Sequence, residues 1–499
     1  MTEPGHTIDA ETPPVGKTMN RRAEFLSIAV LAMIAAALRL HRVGADDLWF
    51  DEILSVRRAT APLGEAHSLI REGTHPPLYS QGVLRPWLTL GESELLVRLP
   101  SVVFGVVTVG LTWLLARRIA GPRAALAAAA LLTVLPLHVY YSREARMYAL
   151  LAMLLTGWLL ALSTAQRQDT GWAWGTYTVL GAAALYTHYY AGFTLLSTIG
   201  VSAVFFLRSC AERRRHWLIA TSGIAVAFVP WLPTFGFQLA NDPVSHLRAL
   251  SLSETVGVPI RFFTAYAGSS TTEVILIGGS LAVLAGAAVL ALVNAEHLTP
   301  DRRFDAFAVA GALVGTMALA VAASRFRPLI FVRYFTGVLP MLCVVAGVAW
   351  SFRPRHALTL PAAIVLMAIC IIHVPPTLTT TWRPAFGAAT DVIEAGGTDG
   401  TVVFLAGHDH TNFNVVGFWH YLDPEIGVVT VDVGRDSLAD ALAAVESDVQ
   451  RVWVVQYRPI DTFEAPDGFI ITNRTRFDSR FPDFDISYPV VLSRLDASR

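Results

Sequence analysis

Charge is scarce in this sequence. Only 15% of its 499 residues are Asp, Glu, Lys or Arg, against roughly 25% in soluble domains. Lysine is nearly missing, since among the 38 basic Lys and Arg residues only Lys17 is lysine. The first shortage excludes an ordinary soluble globular protein. The second is the bias of a GC-rich genome, because arginine is mostly encoded by CGN and lysine by AAA or AAG, and it points to a bacterial source. The three cysteines, Cys210, Cys343 and Cys370, lie in or beside apolar runs, which argues against a disulfide framework. No GxGxxG follows the first strand-like run of the C-terminal part, so nucleotide binding has no support. A long internal repeat is also missing, and no nucleic-acid partner is expected.

What fills the chain instead is apolar sequence, 54% of residues, with a mean hydropathy of +0.49. A spanning helix needs about 20 mostly apolar residues. Hydropathy predicts spans near 23–42, 96–116, 124–140, 147–165, 172–189, 191–207, 217–235, 273–294, 305–323, 329–350 and 357–374, about eleven helices. The fold class expected is therefore a polytopic α-helical membrane protein. Arg21/Arg22, Arg117/Arg118/Arg123, Arg167, Arg208/Arg213/Arg214/Arg215, Arg302/Arg303 and Arg353/Arg355 fall on alternate loops, which the positive-inside rule makes cytoplasmic. The loop 43–95, the turns at 141–146, near His188 and at 324–328, the loop 236–272 and everything after about 375 then face outward. Residues 1–22 read as a cytoplasmic tail before an uncleaved first span, since no small-residue cleavage site precedes the apolar run. Residues 23–375 form the membrane domain. Residues 376–499 read as a soluble extracytoplasmic α/β domain, with strand-like runs at 401–405, 427–431 and 451–456 and helical patterns at 412–422 and 437–445.

Ionisable residues gather at the outward edge. Asp46-Asp47-Leu48-Trp49-Phe50-Asp51-Glu52 places four carboxylates within seven positions just past the first span. One could act as general base on an acceptor hydroxyl, whose own pKa is too high for unaided attack; equally, the acids could cap a short helix. His75 precedes Pro76-Pro77, which fix the backbone there. Tyr140-Tyr141-Ser142-Arg143-Glu144-Ala145-Arg146 sets a carboxylate between two arginines. Arginine suits phosphate because its planar fork donates in pairs, whereas Glu144 could be only the partner of Arg143 or Arg146. His188-Tyr189-Tyr190 and Arg333-Tyr334 complete the candidate set. Tyrosines at a helix end commonly form the interfacial belt; an arginine such as Arg333, set inside an apolar run, is a functional-site hypothesis in its own right.

The ordered motifs Leu48-Trp49-Phe50-Asp51-Glu52, His75-Pro76-Pro77-Leu78-Tyr79, Arg98-Leu99-Pro100-Ser101 and Tyr141-Ser142-Arg143-Glu144-Ala145-Arg146-Met147-Tyr148 resemble the GT-C glycosyltransferases related to protein mannosyltransferases. The resemblance covers roughly residues 20–350 and leaves the C-terminal part outside. It implies the GT-C fold and an inverting transfer of a sugar, mannose first, from a dolichyl- or polyprenyl-phosphate carrier. It implies a catalytic carboxylate at Asp51, with Glu52 beside it and Glu144 as a second acid. By the same resemblance Arg333-Tyr334 contacts the carrier phosphate. Arg143, Arg146, His75, His188 and Tyr189, read from their own types and positions, complete the expected substrate-binding set. The expected partners are a lipid-linked sugar, membrane lipids and a glycan, lipid or protein acceptor. No metal-ligand set is legible, and some members of the family use a divalent metal while others do not. A polytopic transporter or lipid flippase, and a lipid-linked-sugar binder without turnover, are the rival readings.

Overall fold

The structure is a computed structural model, and it describes residues 20–241, 250–265, 269–293, 298–351, 356–379, 386–397, 401–407, 420–422, 426–432, 451–457, 469–477, 480–481, 486–487 and 490–497. Helix α1 (Arg21–Leu40) leads into a surface layer of α2 (Phe50–Thr60), α3 (Leu63–Arg71), a π-helical stretch Leu78–Leu84 and the single turn α4 (Arg85–Trp87). There follow α5 (Glu94–Ala120), α6 (Pro122–Val134), α7 (Pro136–Tyr141), α8 (Tyr148–Gln168), α9 (Gly171–Thr187), α10 (Ala191–Phe206), α11 (Ala211–Phe228), α12 (Leu232–Asn241) and α13 (Leu252–Thr264). The helical part closes with α14 (Thr271–Val293), α15 (Pro300–Ala323), a 3-10 segment Val332–Val338, α16 (Leu339–Ser351), α17 (His356–Thr379) and α18 (Phe386–Ala395).

Each stretch expected to span carries a helix. Among the described residues, eight helical segments are long and apolar enough to cross a membrane, and α6 and α10 are shorter apolar helices. Their outer faces stay apolar where no protein covers them: Phe25, Met33, Leu196, Val226, Ile275, Val314 and Ile372 are all exposed, as lipid-facing side chains are. The interior packs around α8, where Trp158 stacks on Tyr177 of α9 with centroids 5.1 Å apart. Backbones come close where residues are small. A Cβ at Gly347 of α16 would stand 2.5 Å from the Ala124 carbonyl oxygen of α6, so this crossing requires glycine, in the manner of small-residue interfaces between membrane helices.

The expected span 124–140 is broken. Pro136 has no N–H to give the Leu132 carbonyl four residues back, and α6 ends there. Arg39, fully buried on α1, fills the break: its guanidinium donates to Thr133 O (3.2 Å) and Leu132 O (3.4 Å) and lies 2.8 Å from His138 Nδ1. Substituting Arg39→Met keeps most of the stem and removes every donor. The expected result is a loss of about 1–3 kcal/mol, the cost of stranding buried acceptors, read as a lower thermal midpoint in detergent.

The two ends of the bundle differ in chemistry. At one end the ion pairs Glu24–Arg117 (2.8 Å) and Arg167–Asp305 (2.6 Å) and the Asp169–His216 hydrogen bond (3.1 Å) gather the arginine-rich loops. The loops with Asp51, Arg146, His188 and Arg333 meet at the other. After α18 come β1 (Thr401–Gly407), β2 (Gly427–Asp432), β3 (Arg451–Tyr457), β4 (Phe469–Phe477), the short pair β5 (Arg480–Phe481) and β6 (Ile486–Ser487), and β7 (Val490–Ala497). The main sheet has the order β2-β1-β3-β7-β4. β1 is parallel to β2 and β3, and β7 is antiparallel to β3 and β4. Val452, Trp453, Val454 and Val455 of β3 are all buried, as befits a central strand covered on both faces. Of the helical pattern at 412–422 only 420–421 are described as helical, and the pattern at 437–445 lies outside the described residues.

Candidate active site

The acidic segment folds as a helix start. α2 begins at Phe50, so Asp51 and Glu52 occupy its first turn, where carboxylates are favoured by the free N–H groups and the helix dipole. Neighbours in sequence, the two side chains have different surroundings. Glu52 is fully buried and its carboxylate is held bidentately by Arg98, Nε to Oε1 at 2.9 Å and Nη2 to Oε2 at 2.8 Å. It also accepts from the Ala145 N–H (2.8 Å) and from the Trp49 N–H (3.3 Å) that opens α2. Arg98 uses its other N–H groups on the carbonyls of Val43, Asp46 and Asp47 at 2.7–2.8 Å. Asp51 retains 19% side-chain exposure, with Oδ2 3.5 Å from Arg333 and 3.7 Å from Arg146.

Arg146 is fixed by donation from Nη1 to Asp51 O and to Ser55 Oγ, each at 3.1 Å. Its own carbonyl accepts from Ser101 Oγ (3.3 Å), which in turn lies 2.9 Å from Tyr79 Oη. The four motifs read in the sequence are thus one hydrogen-bonded unit: Glu52 to Arg98 and Ala145, Tyr79 to Ser101 to Arg146.

Aromatic rings and imidazoles floor the site. The ring centroids of His75 and His188 are 4.9 Å apart, and those of His188 and Tyr334 are 4.8 Å apart. Tyr148 stands 5.8 Å from His188, and Tyr190 stands 5.0 Å from Tyr334. Burial, then the neighbouring His188 and the cations Arg146, Arg58 and Arg333, hold the His75 imidazole well below its ordinary pKa. It is therefore neutral near pH 7.

Asp51, Arg146, Arg333, His75, His188 and Tyr334 therefore converge. Two other candidates, Arg143 and Tyr189, turn elsewhere. Arg143 donates to His41 O (2.8 Å) and Thr377 O (3.2 Å), bracing the end of α1 against α17. Tyr189 turns toward α12, hydrogen-bonded to Gln238 and accepting from Trp231 Nε1 at 2.9 Å. Glu144 is fully buried in the turn between α7 and α8. Arg333 lies on the 3-10 segment ahead of α16 rather than within a regular apolar helix. Sequence reasoning missed Arg58, whose guanidinium burial and the adjacent Arg146 bring down to about 10. The signal was present: Asp51, Ser55 and Arg58 follow the i, i+4, i+7 spacing of one helix face. Among the described residues no cluster of three or more His, Cys, Asp or Glu suited to a metal occurs. An apolar cleft of about 220 Å³ between α6, α14, α16 and α17, lined by Leu131, Leu284, Trp350 and Met367, holds none of these groups.

A helical membrane bundle with a carboxylate and arginines converging at one end has the fold of the GT-C membrane glycosyltransferases. Residues 74–233 match the family model described as dolichyl-phosphate-mannose-protein mannosyltransferase. Among solved structures, the chain is similar to ArnT from Cupriavidus metallidurans bound to undecaprenyl phosphate, at 15% identity and a TM-score of 0.56, covering 95% of this chain and 98% of that one. The same protein in the apo state gives 14% identity and a TM-score of 0.57, covering 94% and 97%. No curated protein matches the sequence.

Proposed function

We propose that this chain is an inverting glycosyltransferase that moves one sugar, mannose by family resemblance, from a polyprenyl-phosphate carrier to an acceptor hydroxyl on the extracytoplasmic face of the membrane. The observation that carries the reading is the partly exposed Asp51 carboxylate set between Arg146 and Arg333, at the end of the bundle opposite the arginine-rich loops. Positive loops favour the cytoplasmic side, which supports an outward-facing site, where lipid-linked rather than nucleotide-linked sugars serve as donors. The similarity to an undecaprenyl-phosphate-bound protein supports such a donor.

The chemistry needs one base and one anion clamp. Asp51 takes the proton from the acceptor hydroxyl as its oxygen bonds to the anomeric carbon. The bond from that carbon to the phosphate oxygen breaks, and the electron pair leaves with polyprenyl phosphate. Arg333 and Arg146 stabilise the negative charge that grows on this leaving group, and Tyr334, His75 and His188 line the sugar's place. Glu52 acts here as a positioning residue.

Transfer of radiolabelled sugar from a panel of polyprenyl-phosphate sugars, in membranes expressing the full chain, tests the reading. Donor-dependent incorporation above that of control membranes supports it, whereas binding of every donor without transfer by any supports the non-turnover binder. The Arg333→Ala variant is expected to raise the donor KM and lower kcat, with kcat/KM falling about 10–100-fold, the worth of one charged hydrogen bond to phosphate of about 1.5–3 kcal/mol.

A further inference from the structure

Among the described residues, the C-terminal part touches the loop of the proposed base at two points. The Tyr421 hydroxyl accepts the Leu48 N–H at 2.6 Å and donates to Glu94 Oε1 at 3.2 Å. One phenol thereby links the loop to the first turn of α5. Four residues further along α5, Arg98 holds the carbonyls of Asp46 and Asp47 from the inner side. Asp47 reaches in the opposite direction: its Oδ2 accepts the N–H groups of Gly387 (2.8 Å) and Ala388 (3.4 Å) at the start of α18. Gly387 leaves room for this contact, since a Cβ there would lie 2.8 Å from Asp47 Oδ1. Next to it, Phe386 is buried at 1% exposure, so the helix start is anchored rather than loosely apposed.

From this we infer that the C-terminal part is a strut for the catalytic loop, with Tyr421 and the α18 N-terminus fixing the peptide 46–48 and thereby the entry of α2 that aims Asp51. Tyr421 and Asp47 are positioning residues, not catalytic ones. The physical reason is leverage: α2 starts two residues after Leu48, and the peptide before it is clamped from inside by Arg98 and from outside by Tyr421 and Gly387. Without the outer clamp the loop keeps only the inner one, and the Asp51 carboxylate samples orientations in which it misses the acceptor hydroxyl. A misplacement of about 1 Å can cost about 100-fold in rate. The inference rests on the reading of Asp51 as the base.

Its test has an arm that does not need activity. Hydrogen–deuterium exchange on the full chain in lipid nanodiscs, comparing wild type with Tyr421→Phe, Asp47→Ala and Asp47→Asn, reads the mobility of 46–52 directly. Loss of either contact is expected to speed exchange there about fivefold, the effect of one net hydrogen bond, with α8 peptides unchanged. In the transfer assay, kcat is expected to fall about 5–10-fold in Tyr421→Phe and Asp47→Ala while donor KM stays within twofold. Asp47→Asn, which still offers an amide oxygen to Gly387, should recover most of both. Unchanged exchange in Tyr421→Phe and Asp47→Ala overturns the strut, and faster exchange with unaltered kcat overturns its positioning role. Should the wild type transfer no sugar, the glycosyltransferase reading falls, and the exchange arm alone decides the strut.

Discussion

Asp51→Asn is expected to lower sugar transfer by about 100- to 10,000-fold, the range that a positioned general base contributes. The substitution keeps the side chain's size and leaves in place the backbone carbonyl that Arg146 uses, as well as the Ser55 hydroxyl beside it, so the fold should hold. What is lost is the acceptor for the proton. Donor binding should survive within a few-fold, because Arg333 and Arg146 are then relieved of a competing carboxylate. The measurement is a pair: initial rates of transfer, and equilibrium binding of polyprenyl phosphate, for wild type and variant purified side by side. Equal rates would remove Asp51 from the role of base, whatever the binding shows.

Glu52 should behave differently, although it is the adjacent acid. Replacing it with glutamine leaves the fully buried Arg98 guanidinium without a counter-charge, and breaking a buried pair in this way costs about 3–5 kcal/mol. Arg98→Met strands the Glu52 carboxylate and should cost a similar amount. Both variants are expected to show lower thermal midpoints and lower yields of folded protein, measured by intrinsic fluorescence during heating in detergent. The double variant Glu52→Gln/Arg98→Met should recover part of the loss, because no unpaired charge is then buried. Near-normal stability of Glu52→Gln with transfer abolished would instead assign this residue to the chemistry.

Much of the bundle was legible because a lipid environment leaves little choice: about 20 apolar residues with all backbone groups paired internally must be a helix. The convergence of Asp51, Arg146 and Arg333 could be suspected from their loops alone. Other features were not legible. Arg143 and Arg146 lie three residues apart in one turn, and only the turn's shape decides that one braces α1 and α17 while the other meets Asp51. The adjacent Tyr189 and Tyr190 diverge for the same reason, one toward α12 and the other toward Tyr334. The split of α6 from α7 was marked by Pro136, yet the arginine that fills it sits on a different helix. In the C-terminal sheet the three parallel strands were read from their apolar runs. β4, with the sequence Phe-Ile-Ile-Thr-Asn-Arg-Thr-Arg-Phe, mixes charge with apolar residues as an edge strand does, and it escaped that criterion together with β7. The contact of Asp47 with Gly387 joins residues 340 positions apart, a distance no local pattern spans.

That separation also bears on how the protein matures. The loop with Asp51 is made just after the first span, but its partners arrive in stages: Arg98 with α5, Ala145 and Arg146 in the turn before α8, Arg333 before α16, and Gly387 and Tyr421 last. A ribosome-bound chain that has inserted half its helices therefore carries the carboxylate without the groups that hold and answer it. Competence is expected to be acquired only after Tyr421 has been made, so that a product truncated before it would, on the proposed function, occupy space in the membrane without transferring sugar.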